Sequence, residues 1–360
     1  MSTGYPMKNI KGLVNTKPGI QVGTKWQGKI EKNPDGSFNF DEEGVKFLQQ
    51  IGVEWVMVNN PPAHTVPEMK QLKKQVEDLG FKIFRLANDQ LHNMPQITLN
   101  LPGRDEKIDE YLQYITNMGE AGIRYSTYAH MANGIWSNEK RRPIRGGAMA
   151  RALSLDQMNR GHWRIVGDEF TWPLSHGRKY SENELWDNYE NFIKKVVPVA
   201  ESAGVHIGIH PDDPPGIEMA GIPRKIFGTF EGYKRAFEIA SSCNIGACLC
   251  VGCWLQGADL VGSTPEEFIR HFGPQGKLFK IHMRNVTAPL TSPGGFNETY
   301  PDAGYYNLTN VIQALHEVEF DGVMINDHLV NMIGGQYTCE AAFTSYLKGV
   351  VDAVQNPAKP

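Results

Sequence analysis

Four short segments of the chain end in side chains that can ligate a metal ion: His210 in IHPDDPP, Cys250 in CLCVG, His282 in KIHMRN and Asp327 in INDH. Two imidazoles, a thiolate and a carboxylate suit a borderline divalent ion, with Zn2+ the default on chemical grounds, and suit Ca2+ or Mg2+ poorly. Taken one at a time, each His is as readily a hydrogen-bonded core residue and Cys250 as readily a small buried hydrophobe. Four such residues at matching places in four consecutive units are much harder to read that way. Side-chain alternation agrees, because His210 shares a strand face with Gly208 and Asp212, Cys250 with Gly246 and Cys248, His282 with Lys280 and Arg284, and Asp327 with Val323 and Ile325. The competing reading, a structural zinc site at Cys248, Cys250 and Cys253, lacks the paired knuckle spacing of such sites and runs through an expected strand.

The elements that must carry these residues are short apolar runs alternating with amphipathic stretches of helical period. The strand candidates are KGLVN near 11–15, EWVMVN at 54–59, KIFRLAN at 82–88, IRYSTYAH at 123–130, VHIGIHPD at 205–212, IGACLCVG at 245–252, LFKIHMRNV at 278–286 and GVMIND at 322–327. Between them lie helical segments such as VPEMKQLKKQVEDLG and LWDNYENFIKKVVPVAESAG, and in QQIGVEW, EDLGFKI, GEAGIRY, ESAGVHI and FDGVMI a Gly precedes the next apolar run, as at a helix stop. Eight βα units predict a parallel sheet closed into one α/β (β/α)8 TIM barrel over residues 1–360, with long loops after strands 4 and 7. Adjacent strands lie about 5 Å apart, so ligands at consecutive strand ends can converge at the barrel mouth. Residues 131–180, after the fourth strand, read as a lid or an oligomer contact.

Composition narrows the function. A net charge of −4 with scattered Lys and Arg lacks the basic stripe of a nucleic-acid binder, which leaves a small molecule as the partner. No secretory leader or long uncharged apolar run is visible, so a cytoplasmic protein with no membrane partner is expected. Five cysteines, an odd number, argue for reduced thiols rather than a disulfide framework. Self-association into a homo-oligomer is expected, as for many barrels with long loops.

The chain also resembles the mannonate dehydratases, relatives of the divalent-metal sugar isomerases with the xylose isomerase-like barrel. The likeness lies in IHPDDPPGIEMAGIPRKIFG, in LPGRDEKIDEYLQYITNMGEAGI, in YAHMANGIW at 128–136, in FKIHMRN followed by FNET, and in the final ND-H, and it covers most of residues 80–330. It implies a sugar-acid substrate that loses water, and Mn2+ as the ion held by residues matching His210, Cys250, His282 and Asp327. It also implies that His328 acts as acid or base with Tyr337 as a looser match, and that His130 and Trp136 lie near the substrate. In such an elimination a base removes the proton beside the carboxylate, a metal stabilises enediolate charge and an acid protonates the departing hydroxyl. Arg284 is a candidate clamp for the substrate carboxylate, or a partner of Asp212 or Asp213. The family's F-x-E-x-x-H-x-x-G-D-V-D-M stretch reads FNETYPDAGYYNL here, with Pro301 at the His position and Tyr305 and Asn307 at Asp positions. Those changes leave room for a sugar isomerase or epimerase on the same barrel, or for a keto-glycoside lyase using Trp254, Trp136, Tyr305 and Tyr306 as stacking platforms.

Overall fold

In a computed structural model, residues 4–357 are described except 158–159, 164–168 and 172–173, and the side chains of 139–141, 160–163 and 169–171 are likewise outside the description. Eight parallel strands form the central sheet: β1 (Gln21–Lys25), β2 (Trp55–Asn59), β3 (Lys82–Ala87), β4 (Tyr125–Ala129), β5 (His206–His210), β6 (Ile245–Cys250), β7 (Leu278–Met283) and β8 (Val323–Asn326). Their order, β3-β2-β1-β8-β7-β6-β5-β4, brings the two ends together, and the ring closes where Ala129 N donates to His92 O at 2.8 Å. The flanking helices are α1 (Glu42–Gln50), α2 (Val66–Asp78), α3 (Arg104–Glu120), α4 (Glu182–Ala203), α5 (Phe230–Ala240), α6 (Pro265–Phe272), α7 (Leu308–Glu317) and α8 (Gly335–Gln355). This is the expected (β/α)8 barrel. Among the described residues, no helix is long and apolar enough to cross a membrane.

Seven strands fall where the apolar runs place them. The first does not. Val14–Asn15 pairs with Tyr5–Pro6 in a small antiparallel ribbon, and the barrel strand is Gln21–Lys25. The apolar residues that made KGLVN resemble a strand serve another purpose. Met7, Ile10 and Leu13 are buried against Trp55, Phe84, Tyr125, Phe279 and Val323, so the segment plugs the barrel from the end at which the strands begin. β1 is weakly apolar because it carries Gly23, where a Cβ would stand 2.6 Å from the Trp55 carbonyl oxygen on β2. Four of the five helix-stop glycines, Gly52, Gly80, Gly122 and Gly204, do take positive φ, whereas before β8 that conformation falls on Glu319.

At the end where the strands finish, the loops after β4 and β7 are built into one structure. Glu139–Pro143, Met149–Leu153, Phe296–Thr299 and Asn285–Val286 form a four-stranded antiparallel sheet, with Ala152 opposite Asn297 and Leu153 opposite Phe296. Asn285 and Val286 thus leave the barrel strand to which the sequence assigned them. On the outer side, Glu340 of α8 receives Asn326 Nδ2 at 2.7 Å and the Thr24 hydroxyl, tying α8 to β8 and β1 just below Asp327.

Candidate metal centre

His210 ends β5, Cys250 ends β6, His282 is the penultimate residue of β7, and Asp327 follows β8. Cys250 lies level with His282, and His282 with Ile325, two residues before Asp327. All four side chains are buried, and one donor atom from each lies within 4.8 Å of all the others. Cys250 Sγ is 3.7 Å from Asp327 Oδ2, and His282 Nδ1 is 3.8 Å from the same oxygen.

The electrostatics put Cys250, Asp327 and His282 in their ligating forms, whereas at His210 burial is outweighed by Cys250 and Asp327, which raise it. Burial alone would raise the Cys250 thiol, but a hydrogen bond from Cys253, the Arg284 charge and the two imidazoles outweigh it and hold Cys250 well below its usual range, as a thiolate. Asp327 is likewise driven down against its burial by His328, His282, Arg284 and Lys25. Burial, reinforced by Lys280, lowers His282 to about 3, leaving a neutral ring. Both of its ring nitrogens are buried without a hydrogen-bond partner, a costly state unless something takes up the lone pair of the unprotonated one. His210 Nδ1 lies 2.7 Å from Pro211 O, so it donates there and Nε2 is left as the donor atom, a common device for orienting a ligating imidazole. These residues fit a divalent ion.

Beside the tetrad sits a buried ion network. Arg284 NH1 pairs with Glu298, while NH2 lies 3.3 Å from Asp213 Oδ2, 3.4 Å from Cys250 Sγ and 3.3 Å from Cys253 Sγ. Arg151, on the excursion strand Met149–Leu153, bridges the same two carboxylates, at 2.7 Å from Glu298 and 2.8 Å from Asp213. Although burial opposes ionisation, the charges of His328, Arg284 and Arg151 bring Glu298 down to about 2. His328 Nδ1 is 2.7 Å from Glu298 Oε1, and its Nε2 is 3.8 Å from Asp327 Oδ2. Simple alternation would turn His328 away from the axis; β8 has ended at Asn326, and a left-handed backbone at His328, φ 49°, turns it back toward Asp327. Since Arg284 is only 1% exposed and satisfies two buried carboxylates, Arg284→Met is expected to cost about 3–5 kcal/mol, read by chemical denaturation of the metal-loaded protein.

The other expected site residues are engaged by protein groups. Arg284 is spoken for by Asp213 and Glu298, so its fork is not open to a substrate carboxylate. Trp254 packs between Tyr233 and Phe268 with Nε1 donating to Ser263 at 3.1 Å, and is part of the core rather than a stacking platform. His130 is enclosed by Tyr128, Tyr189 and Phe227 and lowered by burial to about 3. Trp136 is buried, and it is its carbonyl that matters, accepting from Arg151 Nε at 3.1 Å. Tyr337 opens α8 with its ring stacked on Phe47 of α1 at 4.5 Å. Cys253 stands in a short helix, Val251–Gly257, not in the strand. The three departures in FNETYPDAGYYNL have local jobs: the Pro301 carbonyl accepts from Asn285, Tyr305 donates to Leu255 O, and Asn307 caps α7. Sequence reading missed Arg151, whose role depends on the pairing of two distant loops; Glu298 had a signal in its FNET context.

Comparison with known proteins agrees with this architecture. The family model described as D-mannonate dehydratase matches residues 40–359. The mannonate dehydratase of Streptococcus equi subsp. zooepidemicus is 31% identical over 79% of this chain and 78% of its own length. That of Geobacillus thermodenitrificans is 28% identical over 94% of this chain and 95% of its own. The crystal structure of the Streptococcus suis mannonate dehydratase superposes with a TM-score of 0.76 at 25% identity, covering 94% of each chain. With the family model spanning nearly the whole chain, the protein belongs to the mannonate dehydratase family, carbon–oxygen lyases that dehydrate D-mannonate.

Proposed function

We propose that the chain binds one divalent ion, Mn2+, through His210, Cys250, His282 and Asp327, and uses His328 as the acid–base group in removing water from D-mannonate. The supporting observation is the convergence of four buried donors within 4.8 Å, with His328 beside them. Bound there, the ion would supply Lewis-acid stabilisation for the negative charge that develops next to the substrate carboxylate. The preference for Mn2+ over Zn2+ rests on the family resemblance, since a thiolate and two imidazoles favour zinc.

The protein's own groups handle the protons. The proton on C2 leaves to a base, the C3 hydroxyl departs as water once protonated, and the resulting enol becomes the 2-keto-3-deoxy acid. His328 is oriented for this by Glu298, which fixes Nδ1 and leaves Nε2 facing the tetrad. Arg151 carries the excursion strand to the same carboxylates and so closes the site from the loop side. Incubation of the metal-loaded protein with D-mannonate is expected to yield a 2-keto-3-deoxy product detectable by mass spectrometry. No turnover there, with interconversion of neutral ketoses instead, would favour an epimerase.

A further inference from the structure

The charges around the tetrad divide into two groups. On the side of the loops after β4 and β7, Arg284 and Arg151 are matched by Asp213 and Glu298. From β3 and β7 come two more cations, Arg85 and Lys280, that are not matched in that way, and β1 adds Lys25 beside them. Lys25 approaches Asp327 Oδ1 at 3.8 Å, a carboxylate already committed to the tetrad. Lys280 is fully buried and its Nζ has no hydrogen-bond partner. Arg85 reaches Asn59 Oδ1 only at 3.5 Å and His92 Nδ1 at 3.3 Å, and its buried Nε has no partner. His92 Nδ1 also lies 3.0 Å from Thr127 O; a proton donated to that carbonyl leaves nothing for Arg85 to bond. Among the described residues, no carboxylate pairs with Arg85 or Lys280.

Two β-bulges put these cations there. Between β2 and β3 the register steps from Val56–Ile83 to Met57–Arg85, and between β6 and β7 from Ala247–Leu278 to Cys248–Lys280. The skipped residues are Phe84 and Phe279, both turned inward onto Tyr125 and the plug. Arg85 and Lys280 pair with Met57 and Val323, which also face inward, so at each bulge an aromatic and the following cation share the lumen instead of alternating. The cations sit next to the tetrad: Lys280 lies two residues before His282 on β7 and is lowered by burial to about 7, with Cys248, Arg85, Lys25 and Asp327 all near enough to act on it. A buried cation without a counter-ion, as Lys280 is, is costly in a resting fold, and the half-buried Arg85 beside it leaves its Nε unsatisfied; an anionic ligand would complete both.

We propose that Arg85 and Lys280, with Lys25 at their side, form the receptor for the carboxylate of the sugar acid. The inference deepens the reading of the site as an aldonate lyase and rests on it. It relocates the carboxylate clamp from Arg284 to side chains of β3 and β7 inside the barrel, and it makes a neutral sugar a poor ligand, because that sugar would leave Arg85 and Lys280 unmatched.

The test compares D-mannonate with D-mannitol, a neutral six-carbon polyol, by titration calorimetry on the metal-loaded protein in a His328→Asn background, so that substrate is not consumed. D-mannonate should bind at least about tenfold more tightly than mannitol. Arg85→Gln should weaken D-mannonate about 10- to 100-fold with metal content and mannitol affinity unchanged. Lys280→Met, which replaces an unmatched buried cation by an isosteric apolar chain, should raise the thermal midpoint while weakening D-mannonate. Absent or equal binding of the two ligands, D-mannonate affinity untouched by both substitutions, or a lowered midpoint in Lys280→Met would overturn the proposal. If Arg85-dependent binding of the acid is found but the wild-type protein turns over no D-mannonate, the receptor stands and the dehydratase reading of this chain fails.

Discussion

Replacing His210 or Asp327 by Ala will release the divalent ion and lower kcat/KM for D-mannonate by about a thousandfold or more. The size follows from what the ion would do: Lewis-acid stabilisation of developing charge is worth several kcal/mol, and each 1.36 kcal/mol is about tenfold in rate. The effect should exceed that of any single substitution among the neighbouring ions, because each of the four donors would contact the ion directly. The Asp327 change removes a carboxylate that Lys25 and Arg284 also approach, so its stability is to be measured alongside activity. The His210 change is cleaner. Its Nδ1 bonds the adjacent Pro211 carbonyl, so loss of activity there with the fold intact isolates the metal contribution. A His210→Ala protein with near wild-type turnover and metal content would contradict the assignment.

His328→Asn should behave differently: the ion stays and kcat falls about 10²- to 10⁴-fold, the range of general acid–base catalysis. Asn is the informative replacement because the backbone at His328 is left-handed, φ 49°, a conformation that Asn adopts more readily than most residues. The variant also keeps a polar group facing Glu298. Metal content at the wild-type level with collapsed kcat and little change in KM identifies a proton-transfer role. Full activity removes His328 from the mechanism.

Much of this was legible in the chain, for physical reasons that can be named. His210, Cys250, His282 and Asp327 stand at or just past the ends of apolar runs, and a parallel barrel gathers such positions at one mouth. What stayed hidden depends on departures from periodicity or on distant pairing. β1 is poor in apolar residues because Gly23 must let β2 approach, while the more strand-like KGLVN was drawn into the plug beneath the barrel. Arg85 and Lys280 reach the lumen through bulges that break strict alternation. Arg151 reaches Glu298 because Met149–Leu153 pairs with Phe296–Thr299 across almost 150 residues, which no local pattern signals. For Arg284 the sequence left open a substrate clamp or a pairing with Asp212 or Asp213; the structure has the Asp213 pairing, and only Glu298 as its second partner was hidden.

The central claim is that His210, Cys250, His282 and Asp327 hold one ion, and metal analysis of the purified protein by plasma mass spectrometry tests it most directly. The wild-type protein is expected to carry about one divalent ion per chain, and His210→Ala close to none. A folded, active wild-type protein without stoichiometric metal, or a His210→Ala protein that keeps its ion, would contradict it.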